Sequence, residues 1–313
     1  MSEEFANASA RGRAPDASPA ALRDRLDADA VRDRRDAVLG LLDAVEDGHD
    51  LSERTVAALA ERAMGDPDPE TRQFAVETLG VAGTGDSAVR SALADGDEWV
   101  RAEAVVALSR TAGGDAADRL RAALADESGA VRRNAVIALA KLEAVDPERL
   151  RSRLREDRHA PVREYAAKWL GTHPGETAET VTLLAAVLAR DPEAFVRANA
   201  ARSLGELGTD RAIEALETQG VEDRSNDVQR AARRALAAAR GEDPDSVDLG
   251  DAPAPGGGPS TPERGPGGPP PGGHGPEPTS GRPPGARGNA TRKTGQRTGR
   301  ETPKQPRREG DSR

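Results

Sequence analysis

An aspartate followed six residues later by an arginine recurs down the chain: Asp66 and Arg72, Asp95 and Arg101, Asp126 and Arg132, Asp157 and Arg163, Asp191 and Arg197. A carboxylate and a guanidinium repeated at a fixed interval can form a series of ion pairs. Each aspartate stands just before a helical pattern and each arginine one turn inside it. The arginine of one copy is therefore expected to reach the aspartate of an adjacent copy, giving an inter-repeat ladder. Partly buried ion pairs lose much of their attraction to desolvation, so the ladder's expected role is to fix register between units.

Other chemistry is sparse. The histidines are His49, His159, His173 and His274, and none is followed by glutamate. His49 precedes Asp50, but one such pair does not make a four-ligand metal site. All four are read as isolated surface or turn residues. Cysteine is absent, which excludes disulfides and thiolate chemistry. No phosphate-cradling loop or nucleophile motif is found, and the glycines of Gly256–Gly258 do not stand between a strand and a helix. No catalytic residue, cofactor or metal is expected, and the chain is expected not to be an enzyme.

The elements that position the charged pairs follow from an apolar frame. Val100, Ala104 and Leu108 are four residues apart and form one stripe of a helix. The frame returns at Val131, Ala135 and Leu139, at Val162, Ala166 and Leu170, and at Val196, Ala200 and Leu204. Degraded copies bracket it: Thr71, Ala75 and Leu79 upstream, and Val228, Ala232 and Leu236 downstream, where Gln229 replaces the arginine. A fainter copy is placed at Val31–Arg32–Leu39–Gly40, with Arg35 at the alanine position. The arginine position falls at 72, 101, 132, 163, 197 and 229, in steps of 29, 31, 31, 34 and 32. A period near thirty residues marks a stacked solenoid.

Each unit then holds two helices, A in the gap and B carrying the frame. A helices are expected at 86–93, 115–124, 147–154, 176–188 and 210–216, and one from Ser52, its N-cap, to Met64. Gly83 and Gly85, Gly113 and Gly114, Gly171, and Gly208 are read as turns after B helices. Aromatics are only 2%, so Ala, Leu and Val must form the core, which suits close-packed helices. The expected fold class is all-α, an α-α superhelix with disordered termini. Residues 1–20 are expected to be a disordered N-terminus, 21–65 capping helices, 66–240 the solenoid, and 241–313 a disordered linker and tail.

At VRAEAVVALS, VRRNAVIALA and VRANAARSLG the chain resembles HEAT repeats of the short type first described in phycobilin lyases. The resemblance covers about residues 66–240. It implies five or six HEAT-like units and a family made mostly of scaffolds and adaptors. It also includes lyase and hydroxylase enzymes; the di-iron hydroxylases use His-Glu steps that this chain lacks. An adaptor role in signalling or motility is implied by the resemblance alone.

In HEAT-like stacks the B helices line the concave face, and a protein partner of unknown identity is expected there. Two positions past the arginine stand Phe74, Asn134, Tyr165 and Asn199. Five past it stand Val106, Ile137, Lys168 and Arg202, with Trp169 beside them. Aromatics in such a strip anchor interfaces. One residue of helix rotation would instead bury Ile137 and Trp169 between repeats. Trp99 and Phe195, just before the frame valine, are read as packing residues.

Charge divides the chain. Residues 1–240 carry a net −10 and residues 282–313 a net +7, joined by a proline- and glycine-rich linker. A basic tail can bind nucleic acid or an acidic protein surface, and a tail-mediated nucleic-acid binder stays as an alternative. With no aromatic to stack on bases, the tail is read first as solvated or pairing weakly with the acidic body, and nucleic acid is not the expected partner. Of 45 cations only Lys141, Lys168, Lys293 and Lys304 are lysines. Abundant carboxylates with scarce lysine resemble proteins of salt-loving archaea; the alternative is a GC-rich genome, which also favours arginine and alanine codons. With no apolar run near twenty residues and no leader at Met1, the chain is expected to be cytoplasmic, with no membrane partner.

Overall fold

In the computed structural model, residues 18–111 and 116–245 are described. The expected disordered N-terminus and the linker and basic tail lie outside them, save for 18–20 and 241–245. Fourteen α-helices and no strand occur among the described residues. They form seven consecutive pairs: α1 (Pro19–Arg25) and α2 (Val31–Glu46), α3 (Glu53–Gly65) and α4 (Pro69–Val81), α5 (Asp86–Ala92) and α6 (Glu98–Thr111), α7 (Ala116–Ala123) and α8 (Gly129–Lys141), α9 (Pro147–Glu156) and α10 (Ala160–Thr172), α11 (Thr177–Arg190) and α12 (Ala194–Leu207), and α13 (Asp210–Ala215) and α14 (Asn226–Ala239). A π-helical turn, Leu216–Gly220, extends α13.

Local sequence sets these boundaries. Prolines 19, 69, 147 and 161 sit in first turns, where no intrahelical N–H is lost. Ser52, Asp68, Asp146 and Thr209 accept from backbone N–H groups of the helices they precede, satisfying donors that the helix cannot. The helix α11 is twice the length of α5, which accounts for the longest step, from Arg163 to Arg197.

The frame residues form the core. In the six units from α4 to α14 no Val (or Thr71), Ala or Leu of the frame is more than 7% exposed. From the A side, Leu120, Leu150, Leu154, Leu184 and Leu188 close the same layer. Successive B helices pack together far more extensively than successive A helices do, because alanine and glycine between the B helices let the backbones approach.

Two sequence expectations are corrected. The first unit is framed by Arg34, Ala37 and Leu41, two residues later than expected; Ala37 and Leu41 are fully buried, and Arg35 faces the next turn. Gly171 is not a turn residue but lies inside α10. Gly83, Gly85 and Gly208 do take positive φ, at 66°, 68° and 60°, where a side chain would be strained.

Candidate functional site: the inter-repeat seam and the exposed B face

The aspartates and arginines meet along one seam. Each arginine donates through Nε and Nη2 to both carboxylate oxygens of the aspartate in the following unit. The pairs are Arg34–Asp66, Arg72–Asp95, Arg101–Asp126, Arg132–Asp157, Arg163–Asp191 and Arg197–Asp223, with all twelve bonds between 2.6 and 3.1 Å. The third nitrogen, Nη1, donates at 2.8–3.0 Å to the carbonyl six residues upstream, in the unit's own turn. Each aspartate Oδ1 also accepts the N–H two residues on, at 2.8–3.0 Å. Every arginine thus ties its own turn to the next one. Gln229 keeps the bond to its own turn, donating to the Asp223 carbonyl at 2.6 Å.

Burial pushes the carboxyls of Asp66, Asp95, Asp126, Asp157 and Asp223 up, but the guanidinium and backbone N–H bonds outweigh it. Each is held below the ordinary aspartate value. These five carboxyls are therefore ionised throughout the neutral range.

Arg34 is a member of the seam that the sequence frame does not reveal. Asp33 stands where the frame has valine and Ala28 where it has aspartate, so the usual flanks are missing. The intact spacing Arg–x2–Ala–x3–Leu, at 34, 37 and 41, is the usable signal.

The expected partner-binding residues lie on the other side of the B helices. Phe74 (α4), Val106 (α6), Ile137 (α8), Tyr165 and Trp169 (α10) are half-buried, and Lys168 and Arg202 are exposed. Lys168 Nζ lies 5.9 Å from the Tyr165 ring centre and 5.3 Å from that of Trp169, close enough for cation–π attraction. Trp169 also meets His173 edge-on at 6.1 Å. Its indole Nε1 has no hydrogen-bond partner.

The two asparagines bridge helices. Asn134 donates to the Ala102 carbonyl on α6 at 2.9 Å. Asn199 is buried and donates to Glu164 Oε1 on α10 at 3.2 Å; its Oδ1 accepts from Arg202 at 3.1 Å. Trp99 is half-buried, but Phe195, expected to pack inside, is 40% exposed. Its neighbours Ala194, Ala198 and Ala231 are too small to cover the ring.

On the same side, burial pushes the Glu103 carboxyl up to about 7, with the Glu77 charge adding and Arg110 opposing. A carboxyl raised in the folded state is charged at a cost once pH exceeds its folded value, whereas the unfolded chain ionises near 4.3. The penalty is absent below that unfolded value, grows between the two and is full above about 7. Glu103→Gln should therefore raise stability by about 1–2 kcal/mol at pH 8.5 and leave it nearly unchanged at pH 4. Urea unfolding at the two pH values checks this; an equal effect at both would reject it.

Among the described residues no group of three histidine, aspartate or glutamate side chains is placed to hold a metal ion. His49, His159 and His173 are in separate turns, and His274 lies outside the described residues. No described helix is long and apolar enough to cross a membrane.

Stacked helix pairs joined by a polar seam define an α-solenoid of the repeat class. The HEAT-repeat family profile matches residues 56–140 and 147–237, more than half of the chain, and the chain belongs to that family. Among solved structures, YibA of Escherichia coli is 17% identical with a TM-score of 0.51, over 75% of this chain and 97% of that one. Human deoxyhypusine hydroxylase is 23% identical with a TM-score of 0.35, over 72% and 85%. The CpcE–CpcF complex of phycocyanin lyase from Nostoc is 22% identical with a TM-score of 0.43, over 71% and 88%. No curated protein matches the sequence.

The expectation that the chain is not an enzyme is corrected by these structures. A hydroxylase and a lyase are among the HEAT proteins it is similar to. The frame that makes the fold occupies the core positions, and the exposed B positions are free to carry either binding or catalytic side chains. At such identities the likeness is one of fold and assigns no reaction.

Proposed function

We propose that the protein is a scaffold or adaptor that binds another protein along the exposed side of its B helices. The observation that carries this reading is the cluster on α8, α10 and α12: Ile137, Tyr165, Lys168, Trp169 and Arg202. There the half-buried rings of Tyr165 and Trp169 flank the exposed Lys168 ammonium. Amphipathic rings of this kind, partly open to solvent beside a cation, anchor protein interfaces. Phe74 and Val106 extend the strip toward the N-terminal units, and Asn134 and Asn199 hold it in place. The lysine-poor, carboxylate-rich composition supports a salt-loving archaeal source and a cytoplasmic setting. Apolar and cation–π contacts of this kind are not abolished by the screening found there.

Affinity capture at high salt identifies the partner, and a titration with the purified partner tests the surface. Replacing Tyr165, Lys168 and Trp169 together by alanine should weaken binding at least about tenfold. None of the three takes part in the Arg–Asp seam, so helix content should be retained. An unchanged affinity in the folded triple variant would remove this surface from consideration.

A further inference from the structure

Beyond α14 the chain doubles back. Gly241 has φ of 75°, and the N–H groups of Gly241 and Glu242 donate to the carbonyls of Ala238 and Ala237 at 3.0 and 2.8 Å. This is a Schellman motif, in which a left-handed glycine reverses the chain over the last helical turn. The reversal brings Pro244 into the lining of a cavity of about 770 Å³ on the B side of α10, α12 and α14. It also sets Asp245 Oδ1 3.7 Å from Arg234 Nη2.

The cavity has a distinct chemistry. Ala198, Ala231 and Ala235 make an apolar floor, with exposed Phe195 as one wall. Arg234 stands beside Asp245, where the chain enters, and Arg202 is near enough to Glu164 of α10 to act on its carboxyl. Glu164, Glu206 and Asp227 also line it. Asp227 is paired with Arg230, Glu164 accepts from Asn199, and burial pushes the Glu206 carboxyl up. An occupant with two aliphatic side chains between two carboxylates would match the floor and the two arginines.

The next residues of the chain have that pattern. Asp245, Val247, Leu249 and Asp251 alternate in the sequence, and alternate residues of an extended strand share one face. Val247 and Leu249 are the only larger aliphatics from 246 to 313. Six residues of extended chain span roughly 20 Å, and two helix-to-helix spacings, from α14 to α10, are about 16–20 Å.

We propose that residues 245–251 dock in this groove as an intramolecular ligand, with Val247 and Leu249 on the alanine floor and Asp245 and Asp251 at Arg234 and Arg202. The segment then covers the C-terminal end of the B face, where Asn199 and Arg202 lie. The proposal rests on reading that face as a docking surface.

Hydrogen exchange of the full-length chain, read by mass spectrometry, tests it without any partner. Amides 246–251 should exchange at least about tenfold more slowly than a free chain does. That protection should be lost in Arg202→Glu/Arg234→Glu and in Val247→Ser/Leu249→Ser. Slow exchange in α12 and α14 of the same samples shows that the repeats remain folded, and the second variant leaves the helical body untouched. Free-chain rates in the unaltered protein would overturn the proposal. So would protection that survives both variants, or protection that grows with protein concentration, which would mean a second copy donates the segment. A negative result here leaves the partner titration at Tyr165, Lys168 and Trp169 unaffected, so the two readings fail separately.

Discussion

Arg132→Met should lower the unfolding free energy by about 3 kcal/mol, toward the lower end of the range for orphaning a buried charge. Asp157, its partner, has a side chain only 1% exposed. Without the guanidinium it keeps the His159 N–H at 2.9 Å and a long contact of 3.6 Å with Arg153. The carbonyls of Asp126 and Glu127 lose a donor in the same step. Replacing both partners, as Arg132→Met/Asp157→Leu, should recover most of the loss, because no unpaired carboxylate is then buried. Recovery stays incomplete because the His159 N–H loses its acceptor. Urea unfolding of the two variants checks the ordering; a double variant weaker than Arg132→Met would reject it.

The same substitution has a pH signature. In the unaltered chain the Asp157 carboxyl is held below its ordinary value. Its contribution is present above about pH 4, the unfolded value, and is lost as pH falls through the lower folded value. Arg132→Met removes what outweighs desolvation, so acid unfolding should begin at higher pH. It should also broaden the urea transition. Stability in a repeat array is a sum of unit and nearest-neighbour terms, and this rung joins α8 to α10. Weakening it separates the four pairs before it from the three after it. Salt should matter little, since buried pairs are screened far less than exposed ones.

The seam is readable in the sequence because a solenoid converts a three-dimensional contact into a period. Asp and Arg positions recur in one dimension, and their pairing across units follows from stacking. Other features depend on what a neighbouring unit happens to carry where the helices meet. Phe195 sits at the same frame position as Trp99, yet it is exposed because its neighbours are alanines. Asn134 and Asn199 look like surface polar residues until the adjacent carbonyl or carboxylate is placed. The groove beside α14 needs the Schellman turn at Gly241, whose consequence for Pro244 is not written in any spacing. Gly171 has the look of a turn signal; its missing side chain serves a helix crossing instead.

That crossing recurs and sets the second large effect. Eight residues after the frame arginine, Gly80, Gly171 and Gly205 face the residue six past the next unit's frame position: Ala107, Ser203 and Ala235. A Cβ added at Gly80 would lie 2.5 Å from Ala107 Cβ and 2.7 Å from its Cα. At Gly205 it would lie 2.6 Å from Ala235 Cβ and 2.8 Å from both the Cα and carbonyl oxygen. Backbone atoms cannot rotate away, so the two helices must part. Alanine gains roughly 1 kcal/mol over glycine in helix propensity, whereas overpacking costs about 1–3 kcal/mol or more. Gly80→Ala should therefore destabilise modestly, and Gly205→Val should lose on the order of 3 kcal/mol. Gly65, with nothing within 4 Å of an added Cβ, separates the two terms: Gly65→Ala should be neutral or stabilising by up to about 1 kcal/mol. Adding Ala107→Gly to Gly80→Ala removes the clash between methyl groups but not the clash with the backbone of residue 107, so only part of the loss should return. Thermal unfolding of this set checks the assignment. If Gly80→Ala and Gly65→Ala shift the midpoint alike, the spacing of the B helices is not set by the missing methyl group.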